Sequence, residues 1–364
     1  MHNHIFSGSY TPDDVQFLLK PIDIPDTPVA EKERRIQVEK RHYSEMLSRE
    51  HLPSAQYMAI FQQAMQQNQQ QMAIDCIRLA EKIALNRDGD IVLVSLARAG
   101  TPIGVILKHT LTKHCQRQVW HYSISIIRDR GIDENALQHI LARHADTSLV
   151  FIDGWTGKGV IAGELQKSIG DYNQRHQLTI DAGLYVLVDL AGTAGTAASH
   201  EDYLIPSAIL NATISGLISR SILNSDYIGA NDFHGCVFYA AFQSADLSPW
   251  FIREIGANID ILWDDTVASA AQAINQSQLQ QTSRQFLMQM QCKYGVSDAN
   301  RVKPGIGEAT RVLLRRVPDL LLLRAEQDVA VAHLKVLAKE KQVAIIYDAD
   351  LPYRAVSLIK DITV

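Results

Sequence analysis

Between residues 55 and 86 the apolar side chains of AQYMAIFQQAMQQNQQQMAIDCIRLAEKIAL recur at steps of three and four. That period predicts an amphipathic helix, with a break near Asn68. The pattern then changes. DIVLVSLA (90–97), VWHYSISII (119–127), SLVFID (148–153) and AGLYVLVDL (182–190) are compact apolar runs that read as strands. TPIGVILKHTLTKH and KGVIAGELQKSIGDYNQRH, lying between them, read as helices. Short apolar strands joined by helical crossovers predict a largely parallel sheet covered on both faces. Ligands of such sheets sit at the carboxyl ends of the strands.

Outside this centre, residues 11–55 are polar, hold several prolines and include EKERRIQVEKRHYSEML, which reads as an exposed helix. A Gln-rich helical segment (266–295) precedes a stretch that reads helix, strand, helix, strand, helix. The expected division is an N-terminal arm with helices (1–86), an α/β domain (87–265), a helical linker (266–299) and a small α/β module (300–364).

Composition narrows the class. A 46% apolar and 21% charged chain of 364 residues is ordinary for a soluble protein with room for two domains. A net charge of −5 provides no global field toward nucleic acid or anionic lipid, so any such role is local. No apolar run approaches the roughly 20 residues that cross a bilayer. The opening MHNHIFSGSYTPDDVQ is polar and acidic, unlike a secretory signal or transit peptide. Cys76, Cys115, Cys236 and Cys292 are scattered without a CxxC pair, which suggests free thiols in a reducing, cytoplasmic setting and no structural metal.

The chemistry concentrates in VFIDGWTGKG (150–159). Ile152 stands where a Walker A loop needs its first Gly, and Gly159 replaces its Ser/Thr. What remains is a strand, an acid, a glycine turn and a helix start near Gly157. Backbone N–H groups there and the Thr156 hydroxyl suit a phosphate, and Asp153 suits sugar hydroxyls. Together they describe a ribose-phosphate cradle. This turn resembles the phosphoribosyl-diphosphate (PRPP) loop of type I phosphoribosyltransferases, although Ile152 and Gly154 flank Asp153 where most such loops carry a second acid. VLVSLARAGTPIG (92–104) is similar to their pyrophosphate loop, and SIIRDRGID (125–133) resembles the mobile basic loop of the orotate type.

The resemblance implies a type I phosphoribosyltransferase-like α/β fold and a magnesium-assisted, PRPP-dependent transfer to, or pyrophosphorolysis from, a nucleobase-like acceptor. Arg98, Ala99 and Gly100 would meet the diphosphate, and Arg128, Asp129 and Arg130 would close over it. Asp153, Gly154, Thr156, Gly157, Lys158 and Gly159 would hold ribose and phosphate. Glu201, Asp202, Asn211, Ser215, Ser219 and Arg220 form a dense polar set that would recognise the acceptor. HYSEML, FIDGWTGKG, EDYLIPSAILNATISGLISR and DFHGCVFY also resemble phosphoribosyltransferase-like proteins of bacterial tellurite-resistance and stress gene clusters. A homodimer is compatible with that reading.

KPGIGEATRVLLRRVPDLLLLR looks like a Pelota-like (L7Ae-type) RNA-binding module, in which Lys303, Arg311, Arg315 and Arg316 would contact RNA. Two other readings stand beside the transferase. One is a non-catalytic nucleotide sensor coupled to RNA. The other is a cysteine hydrolase: some relatives carry a cysteine-protease label, and DFHGCVF, read as a strand (233–239), puts Cys236, His234 and Asp232 on one face.

Overall fold

A computed structural model of the chain describes residues 5–269, 273, 275–296 and 298–361. Its centre is a parallel sheet of Gln16–Leu18 (β1), Ile91–Leu96 (β2), Val119–Ile124 (β3), Leu149–Thr156 (β4), Leu184–Asp189 (β5) and Thr196–Ser199 (β6). The spatial order is β1–β3–β2–β4–β5–β6, and every neighbouring pair is parallel. The helices Ala55–Leu85 (α1), Gly100–Lys113 (α2), Val160–His176 (α3) and Ser248–Ala268 (α4) cover it. Alternate strand residues enter two separate cores. Ile91, Leu93, Val150 and Ile152 pack beneath α1, α2 and α4. Val92, Val94, Leu149 and Phe151 pack with Leu165, Ile169 and Tyr172 of α3. A strand buried on both faces has no polar alternation, which is why these four strands read as continuous apolar runs.

Local chemistry sets the helix positions. Ser54 caps α1 by accepting from Tyr57 N (3.3 Å). The helix runs unbroken through Asn68, whose amide instead donates outward to Leu204 O (3.1 Å). Gly104 lets α2 approach the sheet, because a side chain there would strike the His121 ring. His121 is bonded to Ser95 Oγ and Asp14 O (both 2.9 Å), and burial pushes its imidazole down to about 3, so it packs as a neutral group.

A two-residue strand, Gly235–Cys236 (β7), pairs in parallel with Lys20–Pro21. Beyond the helix Gln276–Tyr294 (α5), a second sheet contains Val302–Pro304 (β8), Pro318–Leu323 (β9), Ala344–Tyr347 (β10) and Ala355–Ile359 (β11), in the order β8–β11–β9–β10. Ile306–Arg315 (α6) and Ala332–Glu340 (α7) complete this module. AVSLI, expected to be helical, is instead the strand β11, paired on both sides. Its short, nearly all-buried run suits a central strand. The segment 201–223, which carries the polar set expected to recognise the acceptor, is made of short turns at Pro206–Ala208 and Ala212–Ile214. No helix among the described residues is long and apolar enough to cross a membrane.

Candidate functional site

The chemical groups gather where the carboxyl ends of β2, β3 and β4 meet β7 and the C-terminal module. Cys236, in β7, is fully buried, and His234, just before that strand, is partly buried. The His234 ring takes Ser125 Oγ as partner through Nδ1 (2.8 Å), and its backbone N–H donates to Asp133 (2.6 Å). Asp133 also caps the following helix by accepting from Ala136 N (3.1 Å). The carboxylate beside His234 is therefore Asp133. Asp232, expected in that role, is drawn away by Lys20 (2.7 Å) and by Gly229 N (2.9 Å). Burial pushes the Cys236 thiol up to about 12 and pushes His234 below its ordinary value, although Asp133 opposes the second shift. Both directions favour a neutral thiol and a neutral imidazole.

The other thiols are placed differently. Cys76 is buried beside Asp75, and both burial and that acid hold it protonated. Cys115 is partly buried just past the end of α2, raised by burial and by Glu81. Its neighbour His114 is bonded to Asp260 (2.9 Å) and stacked on Trp263. Cys292 is exposed on α5. Among the described residues no group of three or more His, Cys, Asp or Glu side chains is placed to hold a metal ion.

The glycine loop forms as a turn from β4 into α3, with Gly159 at φ +79°. Thr156 Oγ1 accepts from Gly159 N (3.0 Å), and Asp153 accepts from its own neighbour Gly154 N (2.8 Å). Removal from water pushes the Asp153 carboxyl up to about 7. The C-terminal module covers this loop. Lys158 donates to Ala299 O (2.5 Å), and a side chain at Gly157 would touch Pro304 O.

Arg98, expected to face a ligand, is paired with Glu50 (2.6 Å) and donates to Ile218 O and Asn211 Oδ1. Ala99 and Gly100 start α2 against the backbone of Ile152. The basic loop is a tight hairpin between Ile126–Ile127 and Gly131–Ile132. In it Arg128 pairs with Asp129, Arg130 pairs with Glu45 (2.9 Å), and Asp129 N donates to Glu164.

The 201–220 set does not converge on one pocket. Asp202 clamps the module by accepting from Ile306 N and Arg354 N (both 2.8 Å). Asn211 serves Arg98, Ser215 donates to Asn211 O, and Ser219 accepts from Val237 N. Arg220 donates to Tyr43 O and Met46 O, and Glu201 is exposed. In the module, Arg311 pairs with Glu308 (3.2 Å) over the Trp155 ring, and Arg315 donates to Ala208 O and Ile209 O. Lys303 is partly buried in the same seam, and Arg316 is exposed. Three of the four side chains expected on RNA thus face the α/β core. Sequence reasoning missed Glu50, Ser125 and Asp133, whose partners lie 48 to 109 residues away, beyond the reach of local pattern.

These features define an α/β core whose sheet end is covered by a separate C-terminal α/β module. The comparisons give that class a family. Residues 8–256 match the family described as tellurite-like stress resistance cysteine protease StiP, and residues 281–361 match the PELOTA RNA binding domain. The chain belongs to the StiP family. A protein of Acinetobacter baylyi named "Cysteine protease StiP" is 45% identical to it over 366 positions, covering 98% of this chain and 94% of the relative. This overturns the expected PRPP-dependent glycosyltransferase: the family and the relative are named for peptide hydrolysis. The geometry fits the correction, since Arg98 and Lys158, assigned to diphosphate and phosphate, are turned to protein partners.

Proposed function

We propose that this chain is a thiol-dependent peptidase of tellurite-like stress resistance, with Cys236 as nucleophile and His234 as base. The observation that carries the assignment is β7 itself. Cys236 lies two residues after His234, whose ring is bonded to Ser125 Oγ and whose backbone N–H donates to Asp133. Cys76 and Cys115, the other thiols within residues 8–256, lie near the acids Asp75 and Glu81, which oppose a thiolate. Cys115 also lies at a helix C-terminus, where the dipole opposes a thiolate.

In the cleavage cycle His234 takes the thiol proton and the Cys236 sulfur attacks the scissile carbonyl carbon. The C–N bond breaks as the imidazolium returns the proton to the leaving amine, and water hydrolyses the thioester. The closed arrangement is a resting form, because Cys236 has no exposed surface and a thiol held up to about 12. Substrate engagement has to open the cover over β7. The test is alkylation by iodoacetamide during turnover of denatured casein, with the labelled thiols mapped by mass spectrometry. Label on Cys236 should rise in step with lost cleavage. Inactivation that tracks Cys115 or Cys292, or cleavage that persists with Cys236 fully labelled, ends the assignment.

A second reading, RNA binding, is favoured by the PELOTA match. The registers Val302↔Leu358, Pro318↔Ile359 and Leu320↔Ala344 put Arg316, Lys341 and Lys360 at one end of the second sheet, all exposed. These exposed side chains suit RNA phosphates. The double change Lys341→Glu, Lys360→Glu is expected to weaken binding of an RNA hairpin at least about tenfold and to flatten its salt dependence. Unchanged binding would remove this surface from the reading.

A further inference from the structure

We propose that the outer edge of the C-terminal sheet is a docking surface for a second copy of this chain, joined strand to strand through β10. Among the described residues β10 is the last strand of its sheet and pairs only with β9. Its residues are Ala344, Ile345, Ile346 and Tyr347, of which Ile346 and Tyr347 keep 39% and 43% of their surface exposed. Native edges are commonly blunted by charged side chains, proline or a bulge. This strand has none of them.

The backbone fixes how a partner would meet the edge. Asp348 N donates to Leu323 O of β9. Backbone groups alternate from side to side along a strand, so Ala344 and Ile346 face β9, and Ile345 and Tyr347 face outward. Two outward residues at this spacing satisfy each other around a two-fold axis. Ile345 of one copy exchanges both N–H···O bonds with Tyr347 of the other, and the symmetric pair repeats the exchange. The axis then passes between the two copies of Ile346, which meet as a non-hydrogen-bonded pair with Cα atoms about 4.5 Å apart. Ile345 against Tyr347 is a β-branched–aromatic pair, of the kind that steadies a sheet. A slip of one residue would set the outward groups of one copy against side chains of the wrong face.

Charge favours a second copy as the occupant. The same register sets the exposed Asp350 of one copy opposite the exposed Gln342 of the other, beside the exposed Lys341. Among the described residues neither Lys341 nor Asp350 has a charged side-chain partner. The basic end of each strand thus lies against the acidic end of the other, and the symmetry repeats the contact. A single strand pair buries less than a standard interface, so the dissociation constant is expected to be on the order of tens of micromolar. The proposal is independent of the peptidase reading.

The experiment is sedimentation velocity of the full chain from about 1 to 300 µM, a range that brackets this affinity. A concentration-dependent monomer–dimer equilibrium is expected. Ile346→Lys, which sets like charges face to face on the axis, should weaken it about tenfold or more. Ile346→Cys, in a chain also carrying Cys292→Ser, should form a disulfide-linked dimer through position 346 under mild oxidation with diamide, because the Cα spacing suits a disulfide. A chain that stays monomeric throughout the range would overturn the edge. So would a dimer that Ile346→Lys leaves intact, or one in which position 346 forms no cross-link.

Discussion

Replacing Cys236 with alanine is expected to lower peptide cleavage by about 10³-fold or more, because it removes the sulfur that forms the thioester in the proposed cycle. His234→Ala should fall by a comparable factor, since the two residues act as one unit and their losses do not add. Cys292→Ala should cleave like the parent chain. The pH behaviour tests the environment as well as the identity of the nucleophile. With the thiol held up to about 12, roughly one Cys236 in 10⁵ is ionised at pH 7 in the closed form. Alkylation of Cys236 without substrate should therefore be slow and should climb about tenfold per pH unit between pH 7 and 10. Peptide substrate should accelerate it at fixed pH by opening the cover. A Cys236 alkylation rate already high and flat from pH 7 to 9 would mean that the thiolate pre-exists, and would discard the resting-form account. Full cleavage by Cys236→Ala would discard the nucleophile.

The central sheet was legible because its strands are buried on both faces. Val92 and Leu93 enter different cores, so neither is free to be polar. The outer strands β1 and β6, of three and four residues, were not recognised. So few residues leave too little pattern to detect, and each is held by pairing with a strand far from it in sequence, or across an irregular turn. In the C-terminal module, the β11 run is as apolar as a helix face, and only its two neighbouring strands decide its state.

The candidate site divides the same way. Side-chain types were readable, and the cluster of cations and acids is real. Partners were not readable. Asp202 looked like a recognition residue because acids near a sheet end often meet ligands. Its acceptor oxygens are instead filled by the N–H groups of Ile306 and Arg354, more than a hundred residues on. Arg315 looked like an RNA contact because it shares a helix face with Arg311, and that shared face is the one turned toward the core. A basic helix face is equally legible whether it meets phosphate or a neighbouring domain, so charge pattern alone cannot separate the two. The His234–Cys236 spacing was legible, but its acid partner was not. Asp133, just past the hairpin's second strand, accepts from His234 N, and the nearer Asp232 is taken by Lys20.

Replacing Asp75 with asparagine is expected to stabilise the chain above neutral pH, by roughly 4 kcal/mol at most. Asp75 lies inside α1 with 1% of its surface exposed, and it accepts from Gln71 (3.1 Å), Tyr203 (2.9 Å) and Ser199 (3.4 Å). These neutral donors do not repay its desolvation, and the carboxyl is pushed from 3.8 up to about 7. A carboxyl raised on folding binds its proton more tightly in the native state. Stability is then greatest below about 3.8, falls as pH rises toward about 7, and is level beyond. Asparagine keeps one acceptor oxygen for Tyr203 and Ser199, and Gln71 can turn its amide to accept from the new NH₂. It never ionises, so the advantage of Asp75→Asn should be near zero at pH 4 and complete by pH 8. Thermal unfolding at pH 4, 6 and 8 measures this, with a gain of about 5 °C expected at the highest pH. A variant less stable than the parent at pH 8 would show that the carboxylate is ionised and favourably held. The same measurement bears on the domain seam, because Ser199 and Tyr203 flank Asp202, whose clamp on Ile306 and Arg354 holds the C-terminal module in place.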